Sequence, residues 1–327
     1  MRYGLFGMNV TGGLVMTKSP KWFPSFSLIS EKLNYVESKL SSNYEFAFVP
    51  ICRWRGYSGE RDIAGDSIES IALSSYLLSK TKFIKIFGTF STFAYEPELV
   101  GHAASRLNFE FNNRFALNIV GGWKKDEYLY FKKHFLNSPK LVYEFASEWT
   151  TRFRESESSH FSTFTEILQL KSEFQKSEII CAGFSPEGRN FAMKYADSLF
   201  TTITKSQLEN DKNLALSSAL SLFVREKIDD AKNYKKKLID ENADNISAKN
   251  FCDQLKDSNP IKSFLNRKNI NLVKSGAGIE ELVTDLDGLI DFIKLAKESG
   301  IKTLLFALPD YEESLDLLLR GIVKAKC

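Results

Sequence analysis

Short apolar runs alternate with segments of helical period through the first two-thirds of this chain, and that alternation constrains the fold most. Runs at 3–8, 46–51, 83–89, 115–120 and 178–182 read as strands buried on both faces. Ile29, Leu33, Val36 and Leu40 form one helical stripe between them. Ile68, Ile71, Ala72 and Tyr76 form a second, and Val100, Ala103, Ala104 and Leu107 a third. Asp66 with Glu69 three residues later has capping-box spacing, and Pro97 suits a first helical turn. Near the carboxyl end, Thr284 can cap a helix carrying Leu286, Leu289, Ile290 and Ile293. Gly300 can end that helix, and residues 303–308 read as the last strand.

Such alternation implies a parallel sheet covered by helices. At 327 residues the choices are a closed barrel or an open doubly wound sheet. No GxGxxG follows the first strand and no GxxxxGK[ST] occurs, so the usual signatures of an open nucleotide-binding sheet are missing. The expectation is therefore an α/β chain folded as a (β/α)8 TIM barrel with insertions. One barrel domain over 1–327 is expected, with insertions near 151–177 and 225–280. The first of these, TRFRESESSHFSTFTEILQLKSEFQKS, is polar and shows no clean helical stripe. The second opens on the charge run REKIDDAKNYKKKLIDEN, which reads as a solvated helix face. A sixth strand near 198–202 and a seventh near 214–223 leave only about a dozen residues between them, so the sixth helix is expected to be shortened or missing.

A net charge of +3 is too small to suggest a nucleic-acid or membrane surface. The four cysteines form no CxxC pair, which fits a reducing compartment. The amino terminus has no long apolar core or cleavage site, and no stretch approaches 18 apolar residues. A cytoplasmic protein is expected, with no membrane span.

In a barrel, functional groups gather at the carboxyl ends of the strands. After strand two come Cys52, Arg53, Trp54, Arg55, Gly56 and Tyr57. Thr89 ends strand three. Asn118 lies in strand four, which runs into Gly121, Gly122 and Trp123, with Glu127 beyond. After strand five, Gly183 permits tight backbone, Ser185 can cap a helix and Pro186 can start it. Such a helix start is either a plain capped terminus or a phosphate site. Gly121-Gly122 is either a tight turn or clearance for a bulky ligand. Trp54 and Trp123 belong either to the core or to the wall of an aromatic ligand. Arg53 and Arg55 are surface residues unless an anion sits among them. The three histidines, His102, His134 and His160, have no metal-ligand spacing, and GxSxG is absent. No metal is expected. A phosphate loop and aromatic walls without a nucleophile motif suggest that an organic cofactor supplies the chemistry.

Four blocks in order carry a resemblance to a known family. They are RWRGYSGERDIAGDSIES, PELVGHAASRLNFEFNNRFALNIVGGW, AGFSPEGRNFAMKYAD and SGAGIEELV with the elements that follow. Together they resemble the bacterial-luciferase-like flavin-dependent monooxygenases. RWRGYSG and NIVGGWKKDE look most like the pyrimidine and small-sulfone monooxygenase branch.

The resemblance implies a two-component enzyme in which reduced FMN, delivered by a separate flavin reductase, uses dioxygen to oxygenate a small organic substrate. It implies flavin contacts at Cys52, Arg53, Asn118, Glu127, Tyr143, Gly183 and Ser185. It places Thr89 beside dioxygen and Asn118 at the flavin ring, both as catalytic positions. Trp54 and Arg55 become candidate substrate contacts. A homodimer or higher homo-oligomer is expected, as is usual among relatives. Three departures stand out. Val142 replaces the arginine of the family's Arg-Tyr pair, and Asn113-Arg114 replaces Gly-Arg before strand four. Strand seven, SALSLFVRE, lacks the Arg and His that some relatives use there, which argues against a desulfonating chemistry. A deazaflavin-dependent oxidoreductase and a non-catalytic flavin-binding homologue are the other readings that the same pocket allows.

Overall fold

The computed structural model describes residues 1–19, 22–58, 67–169, 173–183, 185–201, 215–257 and 270–326. Nine strands are described: β1 (Arg2–Phe6), β2 (Phe46–Val49), β3 (Lys85–Ser91), β4 (Phe115–Val120), β5 (Glu178–Ala182), β6 (Ser198–Thr201), β7 (Leu216–Val224), β8 (Glu280–Thr284) and β9 (Ile301–Ala307). All pair in parallel. β1 to β7 follow in sequence, β7 pairs with β9, and β9 pairs back to β1, which closes an eight-stranded barrel. β8 is a ninth strand, paired only with Leu220–Val224 of β7. Leu220 has Phe306 on its other side, so β8 extends the β7 edge that β6 occupies lower down. The sequence reading does not anticipate β8: residues 280–284 form a short strand half-buried over most of its length, without the long apolar run that marks the others.

The helices are α1 (Phe26–Lys39), α2 (Ser70–Lys80), α3 (Pro97–Glu110), α4 (Lys125–Tyr130), α5 (Pro139–Ile167) and α6 (Pro186–Tyr195), followed by α7 (Ile228–Lys235), α8 (Asn245–Asp257), α9 (Ile270–Gly276), α10 (Leu286–Glu298) and α11 (Glu313–Lys326). A π-helical turn, Lys236–Glu241, continues α7, so the charge run is helical as expected. The expected loss of the sixth helix falls on 202–214 and lies outside the described residues.

Two starts differ from the expected caps. Glu69, not Asp66, caps α2, accepting from the amides of Ile71 and Ala72. Asp285, not Thr284, caps α10, accepting from Gly288. Asp66 lies outside the described residues; at α10 the carboxylate one residue nearer the helix than Thr284 reaches the free amide.

The polar stretch after residue 150 is no break in the rhythm. α5 runs unbroken for 29 residues and buries Val142, Ala146, Trp149, Phe153 and Phe161 on one face. Ser156, Glu157 and Thr165 occupy the intervening buried positions, and so mask the stripe in the sequence. Glu157 is tolerated because it accepts from the Ser177 amide at 2.9 Å, from the Ser177 hydroxyl and from Arg154. Gly101 lets α3 pack tightly here, since a Cβ there would lie 2.8 Å from the Glu157 amide.

The two ends of the barrel differ in kind. At the amino-terminal end, Glu178 accepts two hydrogen bonds from Arg2 at 2.8 and 3.0 Å and one from Lys85 at 3.0 Å. These residues start β5, β1 and β3, so the plug ties alternate strands together. Burial would push the Glu178 carboxyl up, but Arg2 and Lys85 outweigh it and hold it at about 2. Above the plug, Phe87, Ala116, Ile180, Phe200, Ala219 and Leu305 fill the interior. No described helix is long and apolar enough to cross a membrane.

Candidate active site

The carboxyl-terminal end opens into a cavity of about 250 Å³. Its floor is made of strand ends. Thr89 of β3 donates to the Pro50 carbonyl at 2.5 Å and receives the Asn118 side-chain amide at 3.1 Å. That leaves Asn118 Oδ1 buried in the cavity lining without a partner. Ser218, Ser221 and Thr303 also hold unpaired buried hydroxyls, but none of them lines the cavity. Leaving a buried acceptor unpaired costs about 1–3 kcal/mol, so Asn118 is placed to meet a donor that the described residues do not supply.

One wall is the segment after β2. Asn9, fully buried, clamps it: its side chain donates to the Ile51 carbonyl and accepts from the Ile51 amide, both at 2.7 Å. Cys52 lines the cavity beside Ser91, whose hydroxyl approaches its sulfur at 3.7 Å. Burial, helped by the charge of Glu127, pushes the Cys52 thiol up to about 11, so it stays protonated at neutral pH and is not a nucleophile.

Arg53 also lines the cavity. Its guanidinium lies over the Trp123 ring at 5.1 Å, 3.8 Å from Glu127. Burial works against its charge, but Tyr57 and Glu127 outweigh it and hold the guanidinium above its ordinary value. Glu127 sits behind this wall, almost fully buried, and accepts from the Trp54 amide at 3.0 Å. The Trp54 ring turns away from the cavity against Tyr95 and Phe131. Arg55 stacks on Tyr130. Neither Trp54 nor Arg55 is in the lining: the chain bends at these two residues, and their side chains pack on Tyr95, Phe131 and Tyr130 instead.

The opposite wall joins β4, α5 and β5. Gly121 and Gly122 line the cavity, and each is also required by packing. A Cβ at Gly121 would lie 2.2 Å from Val142, and one at Gly122 (φ +81°) would lie 2.4 Å from Phe93. Tyr143 donates to the Ala182 carbonyl at 3.1 Å. Ser185 caps α6, accepting from the Gly188 amide at 3.1 Å, with Pro186 in the first turn. Gly183 is not in the lining; it packs on Gly188, and a Cβ there would meet Gly188 backbone at 2.8 Å.

The structure thus gathers Cys52, Arg53, Thr89, Asn118, Tyr143 and Ser185 around one cavity. Sequence reasoning passed over Lys124. Its ammonium is fully buried and donates to the carbonyls of Arg55 and Gly56 at 2.8 and 2.9 Å, with Asp126 at 3.2 Å and the Tyr57 ring at 4.6 Å. Burial, and then Arg53, lower its pKa. A lysine next to a second lysine in KKDE gives no sequence sign of burial. Asn9 was detectable, since it lies just past the end of β1. Among the described residues no group of three or more His, Cys, Asp and Glu could hold a metal.

The sequence model of the luciferase-like monooxygenases matches residues 47–232. The chain belongs to that family. Among curated relatives, pyrimidine monooxygenase RutA of Caulobacter vibrioides is 29% identical over 212 residues, 61% of this chain and 58% of that protein. The Bradyrhizobium RutA is 30% identical over 198 residues, 58% of this chain and 54% of its own. The chain therefore matches little more than half the length of these relatives. Among solved structures, EDTA monooxygenase EmoA from Chelativorans superposes with a TM-score of 0.74 at 12% identity, covering 99% of this chain and 92% of that one. Long-chain alkane monooxygenase LadA gives 0.73 at 16% identity, covering 100% and 92%. These structures establish the shared barrel. In this member of the family all ten sequence-derived site positions fall inside the matched segment, whereas the cavity-lining residues Leu14, Met16, Phe251, Leu255, Ala277 and Ile279 fall outside it.

Proposed function

We propose that the chain is a flavin-dependent monooxygenase that uses reduced FMN and dioxygen to oxygenate a small nitrogen- or sulfur-containing compound. A separate flavin reductase would deliver the cofactor, and the chain 1–327 would act as one barrel domain within a homodimer or larger homo-oligomer. Family membership supports the reading, and one observation carries it: the unpaired Asn118 Oδ1 in a mostly apolar cavity at the carboxyl-terminal end of the barrel. The ring edge of a flavin offers N–H donors, so it fits that acceptor.

When bound, reduced flavin supplies the electrons that activate dioxygen. The protein's part is to bind, orient and exclude water. Asn118 holds the ring edge, and Thr89, tied to Asn118 and Pro50, fixes that acceptor and borders the dioxygen site. Cys52 and Arg53 form the wall, kept in place by Glu127. Tyr143 and Ser185 face the phosphate end, at the amino terminus of α6, whose dipole favours an anion. Gly183 allows that turn to pack closely. Trp54 and Arg55 act through the shape of their loop, since their side chains leave the cavity.

Anaerobic titration with reduced FMN, followed by flavin fluorescence, tests the reading. Micromolar binding and substrate-stimulated oxygen uptake with a reductase are expected. No binding removes the flavin reading. Preference for a reduced deazaflavin points to an oxidoreductase without oxygen use, and oxidised-flavin binding without oxygen uptake points to a non-catalytic homologue.

A further inference from the structure

Three hydroxyls of the cavity lining give their protons to the protein itself. Thr89 donates to the Pro50 carbonyl, Ser91 points at the Cys52 sulfur, and Tyr143 donates to the Ala182 carbonyl. Tyr57, in the same lining, is different. Its hydroxyl meets the guanidinium of Arg53. A guanidinium carries donors and no acceptor, so Arg53 is the donor of that pair. The phenolic proton then has no acceptor among the described residues. Burial raises the pKa of this phenol in spite of Arg53, so at neutral pH the proton stays on the oxygen. The residue is also held firmly. The Lys124 ammonium lies 4.6 Å from the centre of its ring, Phe251 packs edge-on at 5.0 Å, and the Asn250 side chain donates to its backbone carbonyl at 2.7 Å. A donor fixed in advance loses little freedom when a ligand arrives.

Tyr57 stands apart from the groups proposed to hold flavin. It packs with Met16, Phe251 and Leu255, which roof the barrel mouth, whereas Asn118 lies on the floor and Ser185 at the start of α6. The charges near it are matched in pairs. Arg53 faces Glu127 at 3.8 Å, and Lys124 faces Asp126 at 3.2 Å. An anion brought under the roof would lose its hydration without meeting an unmatched cation. A neutral acceptor would meet a fixed O–H. We infer that Tyr57 is a specificity-determining residue, whose phenolic proton is donated to an uncharged acceptor on the substrate, such as a carbonyl oxygen. This rests on the proposed monooxygenase function, which puts a second ligand in the cavity beside the flavin.

The test uses three probes of similar shape: acetophenone with a neutral acceptor, ethylbenzene with none and benzoate with a charged one. Anaerobic isothermal titration measures their dissociation constants on the flavin-free protein and on protein saturated with reduced FMN. Acetophenone is expected to bind about tenfold more tightly than ethylbenzene in both states, the scale of one added hydrogen bond, and more tightly than benzoate. Tyr57→Phe keeps the ring and its packing. It should weaken acetophenone about tenfold and leave ethylbenzene unchanged. Equal binding of acetophenone and ethylbenzene by the wild-type chain overturns the inference without recourse to any variant. An unchanged ratio in Tyr57→Phe overturns it as well, and tighter binding of benzoate overturns the choice of an uncharged acceptor. A preference that vanishes on saturation with reduced FMN overturns the assignment to substrate, because Tyr57 then serves the flavin. Failure of reduced FMN to bind overturns the monooxygenase reading instead; the flavin-free ratios then still decide whether Tyr57 selects an acceptor.

Discussion

The two ends of the barrel use polar side chains to opposite effect. At the amino-terminal end Arg2, Lys85 and Glu178 satisfy one another. At the carboxyl-terminal end Asn118 keeps an acceptor unpaired, inside walls made of Cys52, Tyr57, Trp123 and Phe251. Native proteins leave few buried polar atoms without partners. Unpaired hydroxyls such as that of Thr303 occur inside the barrel as well. What separates site from structure is therefore an unpaired acceptor that faces the cavity, set against a charge cluster in which every member is paired. Variants that break this contrast should lose stability at one end and ligand affinity at the other.

The largest effect belongs to the plug. Glu178→Ala strands two cations in a region where Glu178 itself is only 12% exposed. Breaking a buried ion pair from one side costs about 3–5 kcal/mol, to be read from urea unfolding, while flavin affinity in the surviving folded fraction should not change. The same group sets an acid limit. Its folded pKa of about 2 lies below its ordinary 4.5, so its stabilisation is complete above that value and disappears as pH falls from about 4.5 towards 2. The amount lost is on the order of 3 kcal/mol. Glu178→Gln should flatten this acid limb of the stability profile. An unchanged limb would mean that other carboxylates control it.

Lys124→Met comes next and touches both sides of the contrast. It leaves the Arg55 and Gly56 carbonyls without a donor, at a cost of about 2 kcal/mol. The loop bearing Cys52, Arg53 and Tyr57 should loosen with it, so flavin affinity falls as well. A thermal unfolding midpoint that drops without any change in flavin titration would limit Lys124 to a structural role.

What could be read in the sequence follows the same division. Strands such as β4 and β5 were bounded correctly because they are buried on both faces and their apolar runs are unbroken. Ser185 and Pro186 were readable because a helix start has a local chemical signature. α5 was missed because its buried face includes Ser156 and Glu157, whose partners Glu98 and Ser177 lie in other segments, and Thr165, which donates back to the Phe161 carbonyl. The side to which Trp54 turns was not readable, since it depends on Glu127 gripping its amide from β4's far side. The roof was least readable of all. Phe251 and Leu255 belong to an ordinary amphipathic helix until the chain folds it over the barrel mouth.

Asn118→Leu should act at the open end alone. It removes an unpaired acceptor, so stability should hold or rise slightly. Loss of one hydrogen bond should weaken reduced-FMN binding about tenfold, on the order of 1.4 kcal/mol. Fluorescence titration and urea unfolding on the same preparation give both numbers. Unchanged FMN affinity would show that the acceptor serves some other group.

Ser185→Ala is expected to give the smallest effect and the finest distinction. As a cap, Ser185 satisfies the Gly188 amide, and its loss costs about 1 kcal/mol of stability. A plain cap would stop there. A phosphate-facing hydroxyl at the first turn of α6 would also favour FMN over riboflavin, which has the same ring but no phosphate. The variant should therefore lose about fivefold in FMN affinity, near 1 kcal/mol, with riboflavin affinity unchanged. If both ligands weaken equally, Ser185 acts only through the helix, and the phosphate must be held elsewhere. If only FMN weakens, the open end of the barrel has two parts: a ring site fixed by Asn118 and an anion site fixed by α6. Neither part has a counterpart in the satisfied plug beneath.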